Sequence, residues 1–141
     1  MFRKTNTNLQ FSLFTTPSNI LPKRAKKKYT DEKAWHNQFF KLVTSQIEEE
    51  AFKPLFEETK MGAPNASVRI LVAMSILKEG FGCCDEDLFK KCKFDLLARK
   101  ALGLEMLDDK LPSLDTYYLF GRLLADYEQR TGINLTERCF E

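Results

Sequence analysis

Ser67-Val-Arg-Ile-Leu-Val-Ala-Met-Ser-Ile-Leu-Lys-Glu-Gly-Phe-Gly-Cys-Cys-Asp-Glu-Asp-Leu88 is the stretch from which the architecture follows. It starts with a dense apolar run in which only Arg69, Ser75 and the Lys78–Glu79 end are polar. A helix that is apolar almost all round is a buried helix. The run is about a dozen residues, well short of the ~20 that span a bilayer. It is also longer than an ordinary strand and modest in β-branched residues. Gly80 suits the left-handed position that ends a helix, and Gly82 loosens a short turn. Asp85-Glu86-Asp87 then sets negative charge at the start of a second helix, where the macrodipole favours it. The spacing predicts a helix over 67–79, a glycine turn, and a helix over 85–93: a helix-turn-helix-like hairpin at the centre of an all-α, multi-helix domain.

At 141 residues the chain is one domain, long enough to bury a core. The 43% hydrophobic and 30% charged fractions are ordinary for a globular protein. The net charge of +2 hides a division. Residues 1–28 hold seven of the 22 basic residues and no acid, which leaves 15 basic against 20 acidic residues in the remainder. The first segment, rich in Thr, Asn and Lys and containing Pro17 and Pro22, reads as a largely irregular basic arm. A polyanionic partner and a solvated tail both account for its charge. Residues 29–141 read as the helical body. No apolar signal segment follows Met1, so Cys83, Cys84, Cys92 and Cys139 are expected as reduced thiols of a cytoplasmic protein. Adjacent Cys83 and Cys84 lack the Cys-x-x-Cys spacing of a zinc site.

Within the body, Thr30-Asp-Glu-Lys33 reads as a helix start. Trp35, Phe39, Leu42, Val43 and Ile47 then predict one long helix over 31–51, broken at Pro54. Asn65 is the expected cap of the central helix, and Glu48, Glu49 and Glu50 read as a solvated face. A short helix over 95–102 ends at Gly103. Ser113 caps a second long helix, 113–130, with Leu114, Tyr117, Tyr118, Gly121, Leu124 and Ala125 on one face. Asn134–Phe140 reads as the start of an element without room to bury its apolar side, frayed or docked on the 113–130 helix or a neighbouring chain. His36, beside Trp35, reads as packing or surface rather than catalysis.

The central and later stretches resemble the N-terminal helical domain of bacterial DDE-type insertion-sequence transposases. The resemblance is carried by Ser67–Gly82, Cys83-Cys-Asp-Glu-Asp-Leu88, Phe94-Asp-Leu-Leu-Ala-Arg-Lys-Ala-Leu-Gly-Leu104 and Leu111-Pro-Ser-Leu-Asp-Thr-Tyr-Tyr-Leu-Phe120, preceded by Gly62-Ala-Pro64. It covers roughly residues 60–125, in a specific order and spacing. Such domains often have Ser where this chain has Cys84, and Arg where it has Gly121 followed by Arg122. The resemblance implies a non-catalytic part of a DNA-transposition enzyme, ahead of an RNase H-like catalytic domain in which Mg²⁺ would sit. No cofactor is expected in this chain. The acids here fall at helix starts or on solvated faces, whereas two-metal chemistry needs carboxylates that converge on metals about 4 Å apart.

Two functions follow as expectations. The first is DNA binding, with recognition of the element's terminal inverted repeats. Its candidate residues are Lys23, Arg24, Lys26, Lys27 and Lys28 for phosphate contacts, and Ser113, Thr116, Tyr117 and Arg122 on the last long helix. Asp85-Glu86-Asp87 would repel phosphate from the start of the hairpin's second helix, where a recognition helix makes its base contacts. Tyr117 and Tyr118 also fit a purely packing role. The alternative is a protein-interaction or dimerisation module, which suits the acidic body. Neither a membrane nor a small-molecule substrate is expected: there is no phosphate loop, catalytic triad or metal motif.

Overall fold

The computed structural model describes residues 17–58 and 67–140. All regular structure among them is helical. The central helix is Val68–Phe81, with Val68, Leu71, Val72, Ala73, Met74 and Leu77 buried. It ends at Gly82 (φ +63°), not at Gly80, which lies inside the last turn. Phe81 accounts for the extension: its ring packs edge-on to Trp35 at 5.5 Å and lies 5.2 Å from the Lys91 ammonium. Gly82-Cys83-Cys84 turns the chain into the helix Asp85–Phe94, and the Lys78–Asp85 ion pair (2.8 Å) ties the two helices together.

The start of the central helix is held from a distance. Asn65, the expected cap, lies outside the described residues. Ser67 occupies the cap position, but its hydroxyl donates to Glu49 Oε1 (2.8 Å), and the same oxygen accepts the Arg69 N–H (3.1 Å). Glu49 is only 5% exposed, so the solvated reading of Glu48–Glu50 fails at its middle residue. Its carboxylate both satisfies a free N–H and offsets the positive end of the dipole.

The long helix expected over 31–51 is in fact Trp35–Leu42, a 3₁₀ turn Thr44–Gln46, and a second 3₁₀ turn Glu49–Phe52 that runs into the helix Lys53–Glu58. Thr44 is the cause. Buried and β-branched, it donates its hydroxyl to the Ala101 carbonyl at 2.6 Å, which locks the chain to a distant helix end. Of the expected stripe, Ile47 is buried and Phe39 packs on the core, but the other positions shift. His36 and Thr44 are buried, while Trp35 (44%) and Leu42 (62%) stay exposed. Pro54 falls in the first turn of Lys53–Glu58, where its missing N–H costs nothing.

Asp95 Oδ1 caps Leu96–Ala101 through the Leu97 N–H (2.9 Å), and Ser113 Oγ caps Leu114–Thr131 through the Thr116 N–H (3.1 Å). Between these helices, Gly103 (φ +83°) lies against the Phe40 ring, 2.9 Å from where a Cβ would stand, so a side chain there meets both strain and a clash. The final short helix, Leu135–Arg138, is capped by Asn134 and buries Leu135 and Cys139. It packs on the Glu49–Phe52 turn, so the tail finds within the body a burial site that the expectation of fraying, or of docking on the last long helix or a neighbouring chain, did not name. At the centre of the core, the Phe52 ring meets Phe120 at 5.8 Å, and Phe56 stacks on Phe120 at 6.5 Å.

Two predictions arise here. Cys84 occupies the cap position of Asp85–Phe94 with extended backbone but makes no cap hydrogen bond. Cys84→Ser is therefore expected to stabilise the domain by roughly 0.5–1 kcal/mol, read from urea unfolding midpoints. The thiols should also divide by burial. Exposed Cys84 and half-buried Cys83 should react with a disulfide reagent in the native state, while Cys92 and Cys139 should react only on unfolding. Burial pushes Cys92 up from 9.0 to about 12, Cys139 from 9.0 to about 11 and Tyr29 from 10.0 to about 12. Folded values raised above unfolded ones mean that this contribution to stability is complete below pH 9 and is lost as pH climbs from there towards 12. An alkaline titration of the thermal midpoint should fall in that window.

Candidate nucleic-acid interface

The basic segment is not irregular throughout. Within it, Pro17–Ile20 forms a helical turn (α1) and Lys23–Thr30 forms a helix (α2) that crosses the expected boundary at residue 28. Residues 1–16 lie outside the described residues. Pro22 precedes the first turn of α2, where a preset φ favours helix entry. The Thr30 hydroxyl takes up the Lys26 carbonyl at the other end (2.9 Å).

A helix of this sequence is a poor one alone. Lys23 faces Lys27 and Arg24 faces Lys28 at i,i+4 spacing, each pair costing roughly 0.2–0.5 kcal/mol. Lys23 and Arg24 also stand at the positive end of the dipole. Tyr29 offsets these terms. Its side chain is only 2% exposed, and its carbonyl accepts from His36 Nε2 (2.9 Å), Asn37 Nδ2 (3.1 Å) and Lys100 Nζ (2.8 Å). The Lys100 ammonium also lies over the Tyr29 ring, 4.1 Å from its centroid, and desolvation holds its pKa below the ordinary value.

At 100° per residue, the five cations Lys23, Arg24, Lys26, Lys27 and Lys28 sweep an arc of about 200°. Tyr29 falls in the remaining sector and is turned into the body. All five cations are exposed. Arg24, Lys27 and Lys28 line one shallow concavity with Thr30 and Asp31. The helix therefore presents fixed positive charge on a domain whose remainder is acidic.

The candidates on the last long helix do not gather into a comparable surface. The Ser113 hydroxyl is engaged in capping and lies 2.8 Å from the Thr116 hydroxyl. Tyr117 packs edge-on against Phe89 at 5.5 Å, as the packing reading of that residue has it. Tyr118 is 42% exposed, and partial burial together with the Asp85 carboxylate pushes its hydroxyl pKa up. Arg122 is exposed, about 13 Å along the helix from Ser113.

Sequence reasoning missed the residues that hold this arrangement. Tyr29, His36 and Lys100 are distant in sequence and converge on one carbonyl. Arg99, buried, donates to the carbonyls of Cys92 (3.4 Å), Met106 (3.1 Å) and Asp109 (2.8 Å), and so fixes the connector before Leu114–Thr131. The Lys-rich composition of α2 was the only visible signal.

Fold and surface together define a small all-α domain with a cationic helix anchored on its body. The family model described as "Transposase domain (DUF772)" matches residues 27–122, well over half of the chain, and the protein belongs to that family. Comparison with curated proteins and with solved structures finds no match. Among the described residues, no helix is long and apolar enough to cross a membrane.

Proposed function

We propose that this domain is a DNA-binding part of a transposase, and that α2 carries the contact with the phosphate backbone. The single observation behind this reading is the anchored helix with five exposed cations. Their charges are held in one arc, so less conformational entropy is lost on binding than with a loose tail. The target in this reading is the terminal inverted repeats of a mobile element, in keeping with a transposase family.

In this reading the chemistry of transposition belongs to a DDE-type catalytic domain elsewhere in the parent protein, together with its Mg²⁺. Four of this domain's acids have structural work. Asp85 pairs with Lys78, Asp95 caps a helix, Glu49 holds the start of the central helix, and Asp126 pairs with Arg130 at 3.1 Å. The test is binding to a duplex of the element's end sequence and to a scrambled duplex, at two salt concentrations. Tighter binding to the end sequence that persists at the higher salt supports recognition of the element's ends. Equal, fully salt-sensitive binding to both reduces the role to phosphate contact. Absence of binding at low salt favours a module that joins transposase subunits.

A further inference from the structure

We propose that the groove between helix Asp85–Phe94 and the connector 107–114 binds unpaired bases of single-stranded DNA, with Phe94 as the stacking platform. The inference rests on the DNA-binding reading for its ligand class but uses a surface apart from α2. Phe94 is 75% exposed at the end of its helix, more than any other large apolar side chain among the described residues. The groove beside it has a volume of about 870 Å³, within the range of clefts that hold organic ligands. Phe89, Leu111 and Pro112 contribute its apolar lining.

Lysines adjoin the platform, within a lining that also holds carboxylates. Lys90 and Lys93 stand on one wall and Lys110 on the other, all exposed. The Lys93 ammonium is 5.6 Å from the centroid of the Phe94 ring, so aromatic face and cation are offered together. Glu86, Asp108 and Asp109 also line the groove, and their carboxylates can accept hydrogen bonds from exocyclic amino groups of bases. One exposed ring beside lysines is the unit from which single-strand sites are built: bases stack, and phosphates meet ammonium groups. The groove is also preformed, since the Arg99 guanidinium pins the Met106 and Asp109 carbonyls of the connector. A duplex keeps its bases stacked on one another, so the platform discriminates by strandedness.

The experiment measures binding of the whole chain to a labelled oligothymidylate of about ten nucleotides, within the span of known single-strand sites, and to a duplex. Phe94→Ala is expected to weaken single-strand binding roughly 5- to 100-fold and to leave duplex binding within about twofold. Because the ring is exposed, the variant should keep the parent's unfolding midpoint. Phe94→Trp should restore single-strand binding and show indole quenching on addition of the oligonucleotide. Unchanged single-strand binding by Phe94→Ala, an equal loss on both ligands, or loss of self-association with single-strand binding intact would overturn the proposal. A parent chain that binds duplex but no oligothymidylate refutes the groove and leaves the α2 reading in place. Binding of oligothymidylate without duplex binding does the reverse.

Discussion

Replacing Lys23, Arg24, Lys26, Lys27 and Lys28 together with glutamine is expected to lower duplex affinity on the order of a hundredfold or more at low salt. The slope of log affinity against log salt should flatten by about 0.9 for each lost phosphate contact, or roughly 4.5 if all five engage. The reason is counterion release: each ammonium or guanidinium that neutralises a phosphate frees a condensed cation. Glutamine is nearly as good a helix former as lysine, and the five side chains are exposed. Helicity and stability should therefore hold, or rise slightly as the like-charge pairs disappear. An affinity and slope equal to the parent's would show that DNA is held elsewhere.

The second large effect is on stability. Leu71→Ala should cost roughly 2–5 kcal/mol, because a fully buried leucine leaves both a transfer term and a cavity. Its neighbours Val72, Ala73 and Met74 are backbone-locked within the same helix and are buried themselves, so the site has little room to collapse. Ile76→Ala should cost less. That side chain is only partly buried against the core, and water can refill part of the gap. Urea unfolding of the two variants provides the comparison, and a larger loss at Ile76 than at Leu71 would mean that the buried face of the central helix is misassigned.

These cases also show what could be read from the chain. The central helix and the last long helix were legible because each rests on local signals, a dense apolar run and a Ser113 cap; the turn between 67 and 88 was placed at the wrong glycine, since Gly82 and not Gly80 takes the left-handed conformation. The helix expected over 31–51 failed because apolar spacing alone allowed more than one register. The deciding contacts, Thr44 to Ala101 and His36 to Tyr29, are polar and join segments far apart in sequence. Glu49 was misread for the same reason, since its partners lie 18 and 20 residues away.

The candidate surface was legible in composition but not in form. Five cations without an acid fitted a polyanionic partner and a solvated tail equally, while Pro17 and Pro22 argued for irregular chain. What made a helix of Lys23–Thr30 was Tyr29, one aromatic at its end, seated against Lys100 some 71 positions further on. A single buried ring outweighed the like-charge pairs of the first two turns. The last-helix candidates were chosen for hydrogen-bonding side chains near a helix start; there Ser113 caps the helix and Tyr117 packs on Phe89, while Arg122 stays exposed.

The most direct measurement is amide hydrogen exchange of the domain with and without duplex DNA, since it locates the contact on the chain. The account predicts slowed exchange concentrated in residues 23–30, with His36 and Asn37 protected through the anchor and the last long helix little changed. Protection centred on residues 113–122, with residues 23–30 exchanging as in the free protein, would contradict it.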